Sequence, residues 1–352
     1  MTTQTMQALR KPRPEPGAAF EKVPVPMIGP TDVLVRVLAA SICGTDLHIY
    51  GWDRWSASRI KPPMTFGHEF CGLVEHVGDE VTSVKPGEFV SAEMHVSCGH
   101  CRQCMMGQPH VCQNLKIIGI DADGCFAEFV RIPAANIWKI DPAIPEHYAA
   151  ILDPLGNAVH TVLSGPIEAH TVAVTGCGPI GLMAIAVARA CGASTIFATE
   201  VNAHRRMMAL RMGADEALDP ASCDAVAHVR AATGGAGADV LLEMSGNPAG
   251  IRQGFQMMRP GGRASLLGIP SEPVTLDLVN DVIFKGATVY GIYGRKIFET
   301  WIQMTELLKS RKLNLDPLFG EKFPLDQFEE GFRLLREGLP GKVLLYPNGV
   351  RP

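Results

Sequence analysis

The stretch VAVTGCGPIGLMAIAVARACG, residues 172–192, decides the fold class of this 352-residue chain. A short apolar run leads into Gly176, Gly178 and Gly181, which give the spacing G-x-G-x-x-G, and an apolar helical stretch follows. The first glycine permits a tight turn, the second lets backbone approach a pyrophosphate, and the third allows close packing of helix on strand. The stretch predicts a dinucleotide-binding turn; the alternative is a glycine turn in an α/β core that binds no ligand.

Strand-like and helix-like segments alternate after this turn. They are TIFATE (195–200), HRRMMALRMG (204–213), DVLLEMSG (239–246), GIRQGFQMM (250–258) and RASLLGIP (263–270). Such alternation is typical of a doubly wound parallel sheet of the Rossmann type.

The end of the second strand bears on the choice of dinucleotide. Glu200 stands 19 residues after Gly181, where a carboxylate accepts the ribose hydroxyls and repels a 2′-phosphate. This favours NAD over NADP. Arg205 and Arg206 follow closely and argue the other way, because an arginine can hold a 2′-phosphate.

The first 150 or so residues have the texture of a β-rich domain. Short apolar runs alternate with turns in VLVRVLAASI (33–42), FGHEFCGLVEHVG (66–78), PGEFVSAE (86–93) and GCFAEFVRIP (124–133). They predict a small barrel or sandwich with long loops. A chain of this length is expected to form two domains.

Four of the ten cysteines fall in one of these loops, residues 95–113. Their spacing, C-x2-C-x2-C-x7-C, suits a closed tetrahedral zinc site that only stabilises the loop. An iron–sulfur cluster or four free thiols are the alternatives. The four residues are Cys98, Cys101, Cys104 and Cys112.

A second set of metal ligands lies outside this loop. Cys43, His68 and Glu69 offer the thiolate, imidazole and carboxylate of an open catalytic zinc site, although each alone has an ordinary structural explanation. Beside a nicotinamide, zinc would lower the pKa of an alcohol and favour loss of hydride. Thr45 and His48 follow Cys43 and could pass on the proton.

Composition excludes several classes of partner. The formal net charge is −4 and 47% of the residues are apolar, so nothing electrostatic favours nucleic acid or an anionic membrane. Residues 169–188 carry no charge over about the length of a bilayer span, but glycines and a proline interrupt them. The start has no apolar leader, and the reduced cysteines suit the cytoplasm.

Taken together, these motifs resemble the zinc-dependent medium-chain alcohol dehydrogenase family over essentially the whole chain. The similar strings are ICGTDLHIY, GHE, the four-cysteine loop, GCGPIG and the closing GKVLL. The resemblance implies a GroES-like catalytic domain formed by residues 1–155 and 295–352, a Rossmann domain formed by residues 156–294, and an active site between them. It also implies a homotetramer.

Three further strings, HIYGWDRW (48–55), DPLGNAVHT (153–161) and GIYGRKIFETW (291–301), resemble the members that oxidise the 3-hydroxyl of L-threonine. That similarity implies NAD, a catalytic and a structural zinc per subunit, and the product L-2-amino-3-oxobutanoate, which a CoA ligase would cleave. A polyol or 2,3-butanediol dehydrogenase is the alternative on the same fold. A nucleotide-binding protein without enzymatic activity is an alternative of another class.

The resemblance also implies roles for individual residues. Cys43, His68 and Glu69 match the catalytic zinc ligands, Thr45 and His48 the proton relay, and His95 a position that influences substrate choice. Asp153 matches an acidic position near the zinc, where it would either bind the metal or contact a residue that binds it. The positions that match NAD contacts, besides the three glycines, are Ile180, Glu200, Arg205, Leu267, Gly268, Ile269, Ile292 and Tyr293. Trp52 and Trp55 either line the substrate pocket or pack in a loop or subunit contact.

Overall fold

The computed structural model describes residues 4–338 and 341–350 of the chain. Their contacts divide the chain into two compact units, residues 1–153 with 319–352 and residues 154–318. The strands are β1 Thr5–Lys11, β2 Ala19–Pro24, β3 Asp32–Ser41, β4 Met64–Thr65, β5 Phe70–Val77, β6 Phe89–Ala92, β7 His95–Val96, β8 Lys116–Ile117, β9 Phe129–Pro133, β10 Ile137–Lys139, β11 Thr171–Thr175, β12 Thr195–Thr199, β13 Glu216–Leu218, β14 Ala238–Glu243, β15 Met258–Leu266, β16 Thr288–Gly291, β17 Phe319–Pro324 and β18 Lys342–Tyr346.

Helices are concentrated in the second unit, with short ones in the first. They are α1 Gly44–Gly51, α2 Arg54–Arg59, α3 Arg102–Met105, α4 Glu146–Ala149, α5 Leu152–Val162, α6 Pro179–Ala190, α7 Ala203–Arg211, α8 Ala225–Ala232, α9 Pro248–Met257, α10 Glu299–Lys309 and α11 Phe328–Arg336, with a π-helix at Leu278–Ile283 and 3₁₀ turns at Pro109–Val111, Ala134–Asn136, Asp316–Leu318 and Leu325–Gln327.

The first unit is β-rich, as its sequence predicts. Its main sheet has the order β10-β6-β5-β3-β18-β17, and β9 also pairs with β3. β3 is central because its side chains are buried along most of its length, which is typical of an interior strand. The last strand, β18, returns to pair antiparallel with β3, with Leu345 opposite Ala40. This return brings the end of the chain beside the start of α1.

The second unit contains the predicted parallel sheet. Its order is β13-β12-β11-β14-β15-β16, and every neighbouring pair is parallel. The uncharged stretch at residues 169–188 forms β11, the glycine turn and most of α6. Among the described residues, no helix has both the length and the apolar character needed to cross a membrane.

The division between the units differs from the sequence-based boundary at residues 295–318. We expected this segment in the catalytic domain, but it lies in the second unit, which extends to Leu318. The segment includes α10, in which Trp301 and Met304 are fully buried, and its contacts assign it to the second unit. The amphipathic pattern predicted the helix but contained no information about which core it would cover.

A buried arginine supports one edge of the second unit. The Arg263 guanidinium donates to the carbonyl oxygens of Val162 at the end of α5, Gly165 and Pro166, at 2.7, 3.1 and 3.1 Å. It also donates to Ser265 Oγ at 2.8 Å. The cation thereby satisfies carbonyls that the helix end leaves without partners.

We predict that Arg263→Met destabilises the protein by roughly 3 kcal/mol, because several buried carbonyls lose a charged donor. Urea unfolding followed by circular dichroism measures this change. Arg259→Met is the matched control, since Arg259 pairs with Asp239 nearer the surface and should cost less than about 1 kcal/mol. Equal losses in the two variants would contradict the assigned role of Arg263.

Candidate active site and metal centres

The fold brings Cys43, His68 and Glu69 together. Their donor atoms all lie within 4.8 Å of one another. The reason is local: Ala40 of β3 lies opposite Phe70 of β5, so the residues that follow one strand meet those that precede the other. Two neighbouring strand ends thus supply all three candidate ligands.

A carboxylate that the sequence analysis did not single out lies behind this set. Asp46 is fully buried in the first turn of α1, and its Oδ2 accepts the N–H of Cys43 at 2.8 Å. Its Oδ1 lies 3.6 Å from His68 Nδ1. Burial raises the pKa of Asp46 to about 6. This contact directs Nδ1 of the ring toward Asp46, so Nε2 is the nitrogen suited to a metal.

The site carries more negative than positive charge. Burial by itself lowers the pKa of His68, yet the charges of Asp46 and Cys43 outweigh burial and raise this pKa to about 10. Asp153, half-buried near the start of α5, adds to the same effect. A thiolate, an imidazole and a carboxylate in an anionic, buried site fit a divalent cation, and zinc accepts this donor set.

A buried lysine at the site comes from the opposite end of the sequence. Lys342, at the start of β18, is buried and donates to Glu69 Oε2 at 2.5 Å and to the carbonyl of Ile42 at 3.0 Å. It therefore fixes both ligand-bearing segments at once. The sequence does not reveal this role, because a lysine 273 residues from its partner leaves no local signal.

We predict that Lys342→Met destabilises the protein by about 3–5 kcal/mol, because Glu69 is left as an uncompensated buried charge. Urea unfolding measures this loss, and metal analysis should show weakened retention of one zinc per subunit. Lys342→Arg, which keeps the charge, should lose less stability. The double variant Lys342→Met with Glu69→Gln should recover most of the stability; a double variant as unstable as the single one would contradict the account.

The four cysteines of the second cluster also converge. The sulfur of Cys101 lies 3.5 Å from that of Cys104 and 3.8 Å from that of Cys112. Backbone N–H groups point at the sulfurs, and one of them, from His100, lowers the pKa of Cys98. Four thiolates with N–H donors around them fit a closed structural zinc.

The remaining catalytic candidates lie at different depths. Thr45 Oγ1 is 3.8 Å from Cys43 Sγ, and His48 follows three residues later on the same face of α1, largely exposed. His95 lies in β7, where its N–H donates to the buried Glu93 carboxylate at 2.9 Å and its Nδ1 is 3.6 Å from the same oxygen. The structure therefore places Thr45 against a ligand and His95 on a second, separate carboxylate.

In the second unit, the glycine turn has the geometry a dinucleotide needs. Gly176 adopts φ +87°, and a Cβ there would meet Ser245 at 2.7 Å. A Cβ on Gly181 would lie 2.1 Å from the carbonyl of Gly176. A Cβ on Gly178 would meet nothing within 4 Å, so the first turn of α6 is open where a pyrophosphate would approach.

Glu200 is held against this turn. Its Oε2 accepts the N–H of Cys177 at 2.9 Å and its Oε1 the N–H of Asn202 at 2.9 Å. Arg206 is occupied elsewhere, with bonds to the carbonyls of Glu200 and Val201 and an ion pair with Asp219 at 3.2 Å. One of the two arginines that could accept a 2′-phosphate is thus committed to other partners. Ile180 stands half-buried in α6.

The other predicted cofactor residues lie along the same edge of the sheet. Leu267, Gly268 and Ile269 follow β15, and Ile292 and Tyr293 follow β16. Because all these strands are parallel, their carboxyl ends share the edge that carries the glycine turn.

A buried carboxylate that the sequence analysis did not identify organises this edge. Glu243, at the end of β14, accepts the N–H groups of Ser245 and Gly246 at 2.9 and 3.1 Å. Its carbonyl oxygen accepts the N–H groups of Leu267 and Gly268 at 3.0 and 3.1 Å. One residue therefore fixes the loops after two strands.

Comparison with known families agrees with both units. Residues 29–142 match the alcohol dehydrogenase GroES-like domain, and residues 179–310 match the zinc-binding dehydrogenase family. The chain is 53% identical to L-threonine 3-dehydrogenase of Bacillus licheniformis over 97% of its own length and 99% of that protein.

Solved structures show the same fold. A zinc-binding dehydrogenase from Sinorhizobium meliloti 1021, bound to NADP, is 30% identical with a TM-score of 0.89 and covers 98% of this chain and 100% of that one. The 2R,3R-butanediol dehydrogenase of Bacillus subtilis is 30% identical with a TM-score of 0.87, over 97% of this chain and 100% of that one.

Proposed function

The chain belongs to the zinc-binding alcohol dehydrogenase family, and we propose that it is an NAD-dependent L-threonine 3-dehydrogenase. The observation that carries the proposal is the identity of 53%, over nearly the whole of both chains, with a protein of that name. The buried set of Cys43, His68 and Glu69 supports it, because an alcohol oxidation needs an open metal site of this kind.

The reaction removes a hydride from C3 of L-threonine and a proton from its hydroxyl, so that a carbonyl forms. NAD takes up the hydride and solvent takes up the proton, and the products are L-2-amino-3-oxobutanoate and NADH. Zinc held by Cys43, His68 and Glu69 would act as a Lewis acid that lowers the pKa of the alcohol.

The chain's own residues then act on the proton and on the ligands. Thr45 accepts the hydroxyl proton beside Cys43, and His48 passes it to water at the exposed end of the helix. Asp46 orients the His68 ring, and Lys342 holds Glu69. Asp153 adds negative charge beside His68 and, with His95, is our candidate for selecting the substrate.

NAD is the dinucleotide that the second unit favours. Glu200 lies at the end of β12, where it would accept the adenosine ribose hydroxyls, and its charge opposes a 2′-phosphate. The engagement of Arg206 with Asp219 supports the same preference. Arg205 remains the residue that would contact the ribose side of the cofactor.

A 2,3-butanediol or polyol dehydrogenase is the second candidate. The structural similarity to a butanediol dehydrogenase, at 30% identity, favours it. Both activities would share the metal and dinucleotide sites, so only the residues that meet the substrate distinguish them. L-Threonine carries an ammonium and a carboxylate group that need partners in the site, whereas a diol has neither group.

We predict that the zinc-loaded protein forms NADH from L-threonine with a kcat/KM at least about a hundredfold above that for 2,3-butanediol, because a diol leaves the polar partners of the amino acid unpaired. The panel adds D-threonine, L-serine and sorbitol, each with NAD and with NADP. Cys43→Ser should abolish turnover and leave one zinc per subunit, whereas Cys223→Ser, at an exposed position, should change neither. Preference for a diol would overturn the proposed substrate.

We also propose a homotetramer, with β16 at one of its contacts. In the described sheet β16 is one of the two edge strands, and β13 is the other. Apolar side chains stand exposed on it and on the π-helix before it: Val289, Leu278, Val279 and Ile283 are 42%, 59%, 46% and 65% exposed. Exposed edges and apolar patches of this kind are usually covered in the assembled protein.

Sedimentation equilibrium should therefore give a mass about four times the 37.9 kDa of the chain. Val289→Asp places a charge on the exposed edge and should lower the mass at micromolar concentration. Val350→Asp is the control, because Val350 is exposed and lies far from β16 in the sequence. An unchanged mass in Val289→Asp would exclude β16 from the contact.

We also propose what consumes the product and where the protein is located. A 2-amino-3-oxo acid loses carbon dioxide readily, so we expect a second enzyme to consume it before it decomposes. By family resemblance, that enzyme is a CoA-dependent ligase.

We place the protein in the cytoplasm, because its ten cysteines are all free and two metal sites need thiolates that stay reduced.

A further inference from the structure

His48 is held by a carboxylate from the next helix. Its Nδ1 lies 2.5 Å from Oδ2 of Asp53, the residue that precedes α2. The other oxygen of Asp53 accepts the N–H of Ser56 at 2.9 Å and so caps that helix. The ring of Trp55 meets the imidazole edge-on, with centroids 6.2 Å apart.

The turn that makes this contact is itself anchored. Trp52 has φ 55° and ends α1 in the left-handed conformation, which directs the chain back toward His48. Lys11 is buried beneath this turn, with its ammonium 5.1 Å from the Trp52 ring centroid and 3.2 Å from the carbonyl of Tyr50. The position of Asp53 is thus set by packing as well as by its own hydrogen bonds.

We propose that Asp53 is a positioning residue for proton transfer: it accepts Nδ1–H of His48 and leaves Nε2 as the basic nitrogen of the relay. The inference rests on the proposed function, in which His48 carries the hydroxyl proton. A neutral imidazole has one donor and one acceptor nitrogen, and the partner of one nitrogen determines the role of the other. The carboxylate also stabilises the imidazolium that forms when Nε2 takes the proton.

Asp53 is ionised under working conditions. The N–H of Ser56 and the His48 side chain both lower the pKa of its carboxyl group. An exposed hydrogen-bonded pair of this kind adds little to folding stability. We therefore expect Asp53 to act mainly on the tautomer of His48 and only slightly on stability.

Asp53→Asn tests this role with little change in shape. Asparagine keeps the cap on Ser56, since its Oδ1 still accepts that N–H. Its amide nitrogen replaces Oδ2 and faces Nδ1–H with a second donor, so the Nε2–H tautomer becomes the favoured one. We expect kcat for L-threonine to fall about tenfold to a hundredfold, with KM little changed.

Two comparisons separate this role from a structural one. In a His48→Gln background, Asp53→Asn should cause no further loss, because Asp53 acts through the imidazole. Asp224→Asn, the same change at the cap of α8, should leave kcat at the wild-type value. Asp53→Ser also keeps a helix cap and replaces Asp53→Asn if that variant fails to fold.

A readout without turnover keeps this inference distinct from the proposed function. The ¹⁵N resonances of His48, assigned by their loss in His48→Gln, report which ring nitrogen carries the proton. We expect Nδ1–H in the wild type and Nε2–H in Asp53→Asn. Nε2–H in the wild type, an unchanged kcat in Asp53→Asn, or an equal loss in the His48→Gln background would overturn the role of Asp53. Failure of the wild type to oxidise L-threonine would overturn the substrate, and the tautomer measurement would still decide the role of Asp53.

Discussion

The structure depends on a concentration of buried negative charge at the junction of β3 and β5. Cys43, Asp46 and Glu69 lie there beside His68. Lys342, from the opposite end of the chain, supplies a positive charge that partly balances them. Charges of one sign cannot be gathered in a low-dielectric interior without compensation. The site therefore depends on the return of β18 to the first unit, and its remaining negative charge favours a bound cation.

This requirement links the fold to the chemistry. β18 follows the whole second unit in the sequence and pairs with β3. The position of Glu69 therefore depends on a strand that comes after the parallel sheet. In the second unit, Glu243 plays a comparable part, since it fixes the loops after β14 and β15 that face the predicted cofactor. In each unit, buried carboxylates hold in place the segments that bear functional groups.

Local patterns in the sequence predicted what is encoded locally. G-x-G-x-x-G, the alternation of strands and helices and the four-cysteine spacing predicted the parallel sheet, its glycine turn and the second metal cluster. The partners that orient the site were missed, because Lys342, Glu243 and Asp53 gain their meaning from contacts that the fold creates. The boundary near Leu318 was misplaced for the same reason: an amphipathic helix does not reveal which core covers it.

The most direct test of the account is the visible absorption spectrum of the protein with cobalt in place of zinc at the Cys43 site. Because L-threonine must approach that metal, its addition should change the bands of this site, whereas 2,3-butanediol at the same concentration should not. Cys43→Ser should lose these bands and retain those of the four-cysteine cluster. A spectrum that L-threonine leaves unchanged, or that changes equally with the diol, would contradict the account.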